Sequence, residues 1–132
     1  MIIYTDGGSR GNPGPAAAGF VIDGKGYGQY LGKETNNFAE YTAIVLALEK
    51  ARVVLGKTKA KQTEVEVRMD SELAVKQLNG EYRIKNEGIQ PLFFAVWNLR
   101  FDFKRVKFVH VRRELNKEAD AMVNKALDEH RS

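Results

Sequence analysis

A chain of 132 residues with 43% hydrophobic content has room for one hydrophobic core and enough apolar material to fill it. The absence of cysteine excludes a disulfide framework and a thiolate metal site; with no apolar run of membrane-spanning length and no basic start leading into an apolar signal region, the chain reads as soluble and cytoplasmic. Net charge is only +4, but Arg100, Lys104, Arg105, Lys107, Arg112, Arg113 and Lys117 crowd one late segment, as a rim that attracts a polyanion would.

IIYTD (residues 2–6) predicts a first strand, and AAAGFVID and GYGQYLG predict two more, with Gly24 and Gly26 around Lys25 marking a tight turn between them. From Phe38 to Leu55 the apolar residues Phe38, Tyr41, Ile44, Val45, Leu48 and Leu55 recur at helical spacing, and Gly56 follows as a stop. EVEVRM (64–69) alternates as a strand, SELAVKQL continues as a short helix, and Pro91 opens another helix through Leu92, Val96 and Leu99. RVKFVHV (105–111) alternates again, and NKEADAMVNKALDEH ends the pattern as a helix with Ala119, Met122, Val123, Ala126 and Leu127 on its apolar face. No repeat, low-complexity run or long linker interrupts this order, so residues 1–132 are expected to form one domain. The succession β-β-β-α-β-α-α-β-α predicts an α/β fold: a mixed sheet with an antiparallel start and later strands reached through helices.

Four acids, Asp6, Glu40, Asp70 and Asp120, each stand where an apolar run meets a glycine turn or a helix start, in TDGGSRGNPGP, TNNFAEYTA, MDSELA and NKEADA. Each has a local alternative. Glu40 follows Asn37 by three residues and fits a capping box, and Asp70 fits an N-cap of SELAVKQL. Asp120 complements a helix dipole after an Asn116 cap, while Asp6 belongs to an Asp-Gly-Gly turn. If the four ends converge, they make a carboxylate cluster that is tolerable only around divalent metal. Ligands of such sheets bind at strand carboxyl ends, which is where Asp6 and Asp70 are expected.

Those same segments, YTDGGSRGNPGPAAAGFVI, TNNFAEYTAIVLAL, VRMDSELAVKQL and FVHVRRELNKEADAMVNKAL, run in order over almost the whole chain and resemble type 1 ribonuclease H. The resemblance implies a five-stranded mixed sheet flanked by about four helices. It also implies an endonuclease that hydrolyses the RNA strand of RNA/DNA hybrids with Mg²⁺ or Mn²⁺, leaving 5′-phosphate and 3′-hydroxyl ends. By similarity, Asp6 would bridge two ions, Asp120 would help hold the ion that activates water, and Glu40 with Asp70 would hold the ion on the leaving-group side. Gly7, Gly8, Ser9, Arg10 and Gly11 match the RNA-contacting loop, where small residues permit close approach to 2′-hydroxyls. Asn12, Asn36 and Asn37 match backbone-contacting positions, and Thr35 one near a DNA phosphate; turn and cap chemistry is the other reading of these residues. Trp97 and the seven Phe side chains, at helical or strand spacing, are expected in the core rather than as base-stacking platforms.

Some features depart from the bacterial pattern. The loop VRRELNKEAD is short and places Glu114 near the position of a loop His in many relatives, so Arg112, Arg113 or Glu114 would assist metal exchange or product release. His110 falls inside a strand pattern and reads as structural. NGEYRIKNEG is too short for a basic protrusion, and with the first strand at the start no separate hybrid-binding domain is expected ahead of it. Glu72 stands where several relatives have Gln, either weakening a DNA-strand contact or supporting the helix start. A monomer is expected, with double-stranded RNA as a further substrate candidate. The rival reading is an idle module that binds hybrid or double-stranded RNA without cutting it.

Overall fold

The first third of the chain forms three strands, β1 (Ile2–Ser9), whose burial alternates, β2 (Gly14–Ile22), buried almost throughout, and β3 (Lys25–Glu34), paired antiparallel. The structure, a computed structural model, describes residues 1–130. Helix α1 (Asn36–Leu55) ends at Gly56, whose φ of 80° suits glycine and whose N–H donates to Arg52 O at 2.9 Å. A five-residue helix, α2 (Lys57–Lys61), follows in KTKAK, a stretch without apolar periodicity in which only Ala60 is buried. Strand β4 (Glu64–Met69), helices α3 (Glu72–Leu78) and α4 (Gln90–Leu99), strand β5 (Arg105–His110) and helix α5 (Lys117–Glu129) complete the order. Short 3-10 turns at Arg100–Asp102 and Arg113–Leu115 lead into β5 and α5. The described residues thus carry five α-helices where about four were expected, the addition being α2.

The sheet order is β3-β2-β1-β4-β5, with β4 parallel to both β1 and β5. One face carries the larger core: Ile3, Val65, Val67 and Phe108 pack with Tyr41, Ile44 and Leu48 of α1. The other face is covered over β1, β2 and β3 by α5, through a small cluster of Ala17, Val123, Ala126 and Leu127. No described helix is long and apolar enough to cross a membrane.

The aromatic expectation holds only in part. Phe20, Phe103 and Phe108 are buried, and Phe38 and Phe93 pack against the core, whereas Phe94, Trp97 and Phe101 stand exposed. Helical spacing put the last three on one stripe, but that stripe of α4 and the following 3-10 turn faces solvent.

Candidate active site

Asp6 lies inside β1, not in a turn, because β1 continues to Ser9 opposite β2. The parallel register pairs Tyr4 with Arg68, and continuing it by two residues sets Asp6 level with Asp70, just past the end of β4. There β1 outruns its neighbour, leaving a notch at the sheet edge into which helices from both faces can reach. Two glycines seat those helices. A Cβ on Gly7 would lie 2.2 Å from Ala39 C and 2.3 Å from Glu40 N, so only glycine lets the first turn of α1 rest on β1 and bring Glu40 beside the acids. On the opposite face Gly19, the register partner of Asp6, would place a Cβ 2.5 Å from Ala119 O, and its absence lets α5 bring in Asp120.

Gly7→Ala therefore forces backbone against backbone. We expect it to destabilise the protein by about 3 kcal/mol or more, at or beyond the upper end of ordinary overpacking, whereas Gly8→Ala, whose Cβ would find its nearest neighbour at 3.7 Å, should change stability little. Thermal denaturation of the two variants side by side checks the contrast.

The capping explanations of the acids give way to other residues. Thr35 caps α1, its Oγ1 accepting from Phe38 N at 3.1 Å, so Asn37 and Glu40 do not form the capping box. Ser71, not Asp70, caps α3, accepting from Ala74 N at 3.2 Å, and its hydroxyl also donates to the Glu40 carboxylate. Asn116 occupies the N-cap position of α5 but reaches across the fold instead: its Nδ2 donates to Thr5 O at 2.9 Å, fixing the start of α5 to the residue before Asp6. Local helix ends thus leave the carboxylates of Glu40 and Asp70 unspent.

All four acids line one cleft of about 450 Å³, together with Gly7, Gly8, Ser9, Arg10, Asn36 and Arg113. Asp6 and Asp120 share a hydrogen bond, and Asp70 stands near both Asp6 and Glu40. Burial, then the charges of Asp70 and Asp120, push the Asp6 carboxyl up to about 8. Burial also raises Glu40, with the Asp70 charge adding to it against the Ser71 hydrogen bond. Little cationic charge offsets this: Arg113 Nε is 3.7 Å from Asp70 Oδ2, with its side chain 90% exposed. Asn124, one turn after Asp120, donates to its carboxylate at 3.3 Å. Among the described residues no three acidic or histidine side chains form a ready-made cage for one ion, and the acids meet in pairs. The donor set is nonetheless wholly carboxylate, which suits a hard divalent cation completed by water or phosphate rather than zinc.

The loop residues divide. Asn36 Oδ1 accepts from Ser9 N at 2.8 Å and Ser9 Oγ at 3.1 Å, while Asn12 Oδ1 accepts from Asn36 N at 3.0 Å, so the β1–β2 loop is laced to the start of α1. Arg10 lines the cleft but its guanidinium is held 2.7 Å from Asp128 of α5. Asn12, Thr35 and Asn37 are not among the cleft-lining residues. Glu114 is directed elsewhere, into a separate hollow of about 770 Å³ with Met1, Ile2 and Tyr4, because the 3-10 turn at 113–115 points it behind β1. Arg112 is exposed just before that turn, and His110 is exposed at the end of β5, outside the cleft. Glu72 pairs with Lys76 at 3.0 Å, supporting the helix start. Of the late basic residues, only Arg113 reaches the acid cleft; Arg100 and Lys104 lie at the opposite end of the sheet, where β5 begins. Ser71 and Asn124 bond the acids and Asn116 ties α5 to Thr5, roles that the periodicities do not assign. Their signals were adjacency to Asp70 and helical spacing from Asp120, and for Asn116 nothing local existed.

The Reverse transcriptase-like family matches residues 4–126. Ribonuclease HI of Halobacterium salinarum is 39% identical over 96% of this chain. The crystal structure of LC11-RNase H1 in complex with an RNA/DNA hybrid superposes with a TM-score of 0.90 at 41% identity, covering 97% of this chain and 96% of that one. The chain belongs to the type 1 ribonuclease H family. The bifunctional protein Rv2228c of Mycobacterium tuberculosis is 37% identical over 97% of this chain, and the structure of its N-terminal RNase H domain superposes with a TM-score of 0.85. The chain spans 35% of that relative's length and 63% of the halobacterial protein's.

Proposed function

We propose that this protein is a metal-dependent endonuclease that hydrolyses the RNA strand of RNA/DNA hybrids, leaving 5′-phosphate and 3′-hydroxyl ends. The observation that carries the reading is the convergence of Asp6, Glu40, Asp70 and Asp120 on one cleft, where burial and the Asp70 and Asp120 charges raise the Asp6 carboxyl. The one cation paired with these acids among the described residues, Arg113, stands 3.7 Å from Asp70 on a largely exposed side chain. Such a cluster costs stability, which function must justify. Asp6, Glu40, Asp70 and Asp120 would be the residues that hold the divalent metal, Asp6 standing next to both Asp70 and Asp120. Mg²⁺ or Mn²⁺ held there would neutralise phosphodiester oxygens and lower the pKa of water. Ser71 and Asn124 keep Glu40 and Asp120 oriented through their hydrogen bonds. Gly8, Ser9 and Asn36 form the cleft edge against which a minor groove with 2′-hydroxyls would lie, their main-chain and amide groups close to the sugar edge.

The test is strand selection. Hybrid, double-stranded RNA and double-stranded DNA of one sequence, each strand labelled in turn, are incubated with protein and Mg²⁺. Cuts confined to the RNA strand of the hybrid support the reading, and equal cutting of both strands of DNA refutes it. Hybrid binding without cuts would leave an idle module.

A further inference from the structure

Phe94, Trp97 and Phe101 are 59%, 45% and 61% exposed and stand three and four residues apart, so one stripe of α4 and the following 3-10 turn is aromatic and open to solvent. The Trp97 and Phe101 ring centroids are 6.4 Å apart at a steep angle. Arg100 lays its guanidinium 3.7 Å over the Trp97 ring, and its buried Nε has no hydrogen-bond partner, so stacking sets its position. The surroundings are cationic. Lys61 Nζ donates to Phe101 O at 2.7 Å, which brings α2, with Lys57 and Lys59, against the aromatic turn. Lys104 N donates to Thr63 O at 3.0 Å on the same side. Asp102, the acid within the turn, is 3.7 Å from Arg52. This surface lies at the C-terminal end of α1, twelve residues beyond Glu40, or about 18 Å along the helix, and so is distinct from the acid cleft.

We propose that this surface is a second nucleic-acid site that binds unpaired single strands, bases stacking on Phe94, Phe101 and the Trp97–Arg100 pair while the α2 lysines hold the phosphates. Aromatic rings on their own would equally suit a protein partner. The excess of cations favours a polyanion, and a second copy of this chain would oppose like charges. Bases offer what an acidic peptide lacks, a π face for each ring. The proposal does not depend on the hydrolysis reading.

Trp97 is the sole tryptophan, so its fluorescence reports on this surface alone. In EDTA, titration with a thymidine oligonucleotide should quench that emission saturably, and an abasic oligonucleotide of equal length should bind at least ~10-fold more weakly. Phe94→Ala with Phe101→Ala should weaken binding, followed by anisotropy of a labelled oligonucleotide, by ~10-fold or more. Lys57→Glu with Lys59→Glu should weaken it and flatten its salt dependence. All four positions are exposed, so folding should survive, and cleavage of a short hybrid should stay at the wild-type rate. Absence of quenching, equal quenching by polyglutamate, or an unchanged affinity in the Phe variants would each overturn the proposal. So would concentration-dependent dimerisation that the Phe variants abolish.

Discussion

Asp70→Asn should lower the rate of hybrid cleavage by at least ~10³-fold, equivalent to about 4 kcal/mol of lost transition-state stabilisation, while hybrid binding in EDTA stays within a few-fold of wild type. The amide matches the carboxylate in shape, and Ser71 caps α3 whatever stands at position 70, so the fold has no reason to change. What disappears is one of the charges that hold a divalent cation in the cleft. Binding is expected to persist because the cleft edge of Gly8, Ser9 and Asn36 is untouched, and removing a negative charge near a phosphate does not oppose association. Single-turnover kinetics and anisotropy measure the two halves separately. A cleavage rate within tenfold of wild type would remove Asp70 from the reaction.

Asp6→Asn should stabilise the metal-free protein, and the gain should grow with pH. Folding raises the Asp6 carboxyl from an ordinary 3.8 to about 8, so the folded state holds this proton more tightly than the unfolded chain does. Its contribution to stability is therefore complete below pH ~4 and is lost as pH rises through about 8. Asparagine never ionises and escapes that loss. A tenfold change in proton affinity corresponds to about 1.4 kcal/mol, and acids free to splay recover much of their repulsion, so we expect roughly 2–3 kcal/mol at pH 9. In a chain of this size that is roughly 6–12 °C in the thermal midpoint, with almost no difference at pH 4. Divalent metal should raise the wild-type midpoint at pH 9 and leave Asp6→Asn nearly unmoved. Equal midpoints at pH 9 without metal would mean that the four carboxylates do not repel one another as their placement implies.

What could be read from the residues alone followed the periodicities. Alternation at 64–69 and 105–111, the apolar recurrence from Phe38 to Leu55, and Gly56 as its stop reappear in the fold almost residue for residue. The four acids were legible because the sequence around each breaks an apolar run with glycine or a helix start, although Asp6 turns out to lie within β1, and the topology gathers these segments at one end of the sheet. Contacts between distant parts of the chain were not. Asn37 and Asp70 had the spacing of caps, yet Thr35 and Ser71 took the work, since a cap is chosen by which side chain faces the free N–H groups. Gly7 read as a small residue admitting a substrate's sugar edge, whereas the fold also uses it as the bare spot on which α1 rests, a role visible only once strand and helix are in contact. Asn116 likewise spans from α5 to β1, 111 positions away in the chain. The stripe of Phe94, Trp97 and Phe101 failed for a related reason: helical spacing defines a face but not what lies opposite it.

The most direct measurement is cleavage of a 5′-labelled RNA strand annealed to DNA, with Mg²⁺ or Mn²⁺ and in EDTA, the products resolved and their ends identified. RNA fragments carrying 3′-hydroxyl ends, formed with metal, absent in EDTA and absent with Asp6→Asn, are the expected result. Cleavage that proceeds unchanged in EDTA, or equally well with Asp6→Asn, would contradict a metal-dependent site built on these four acids.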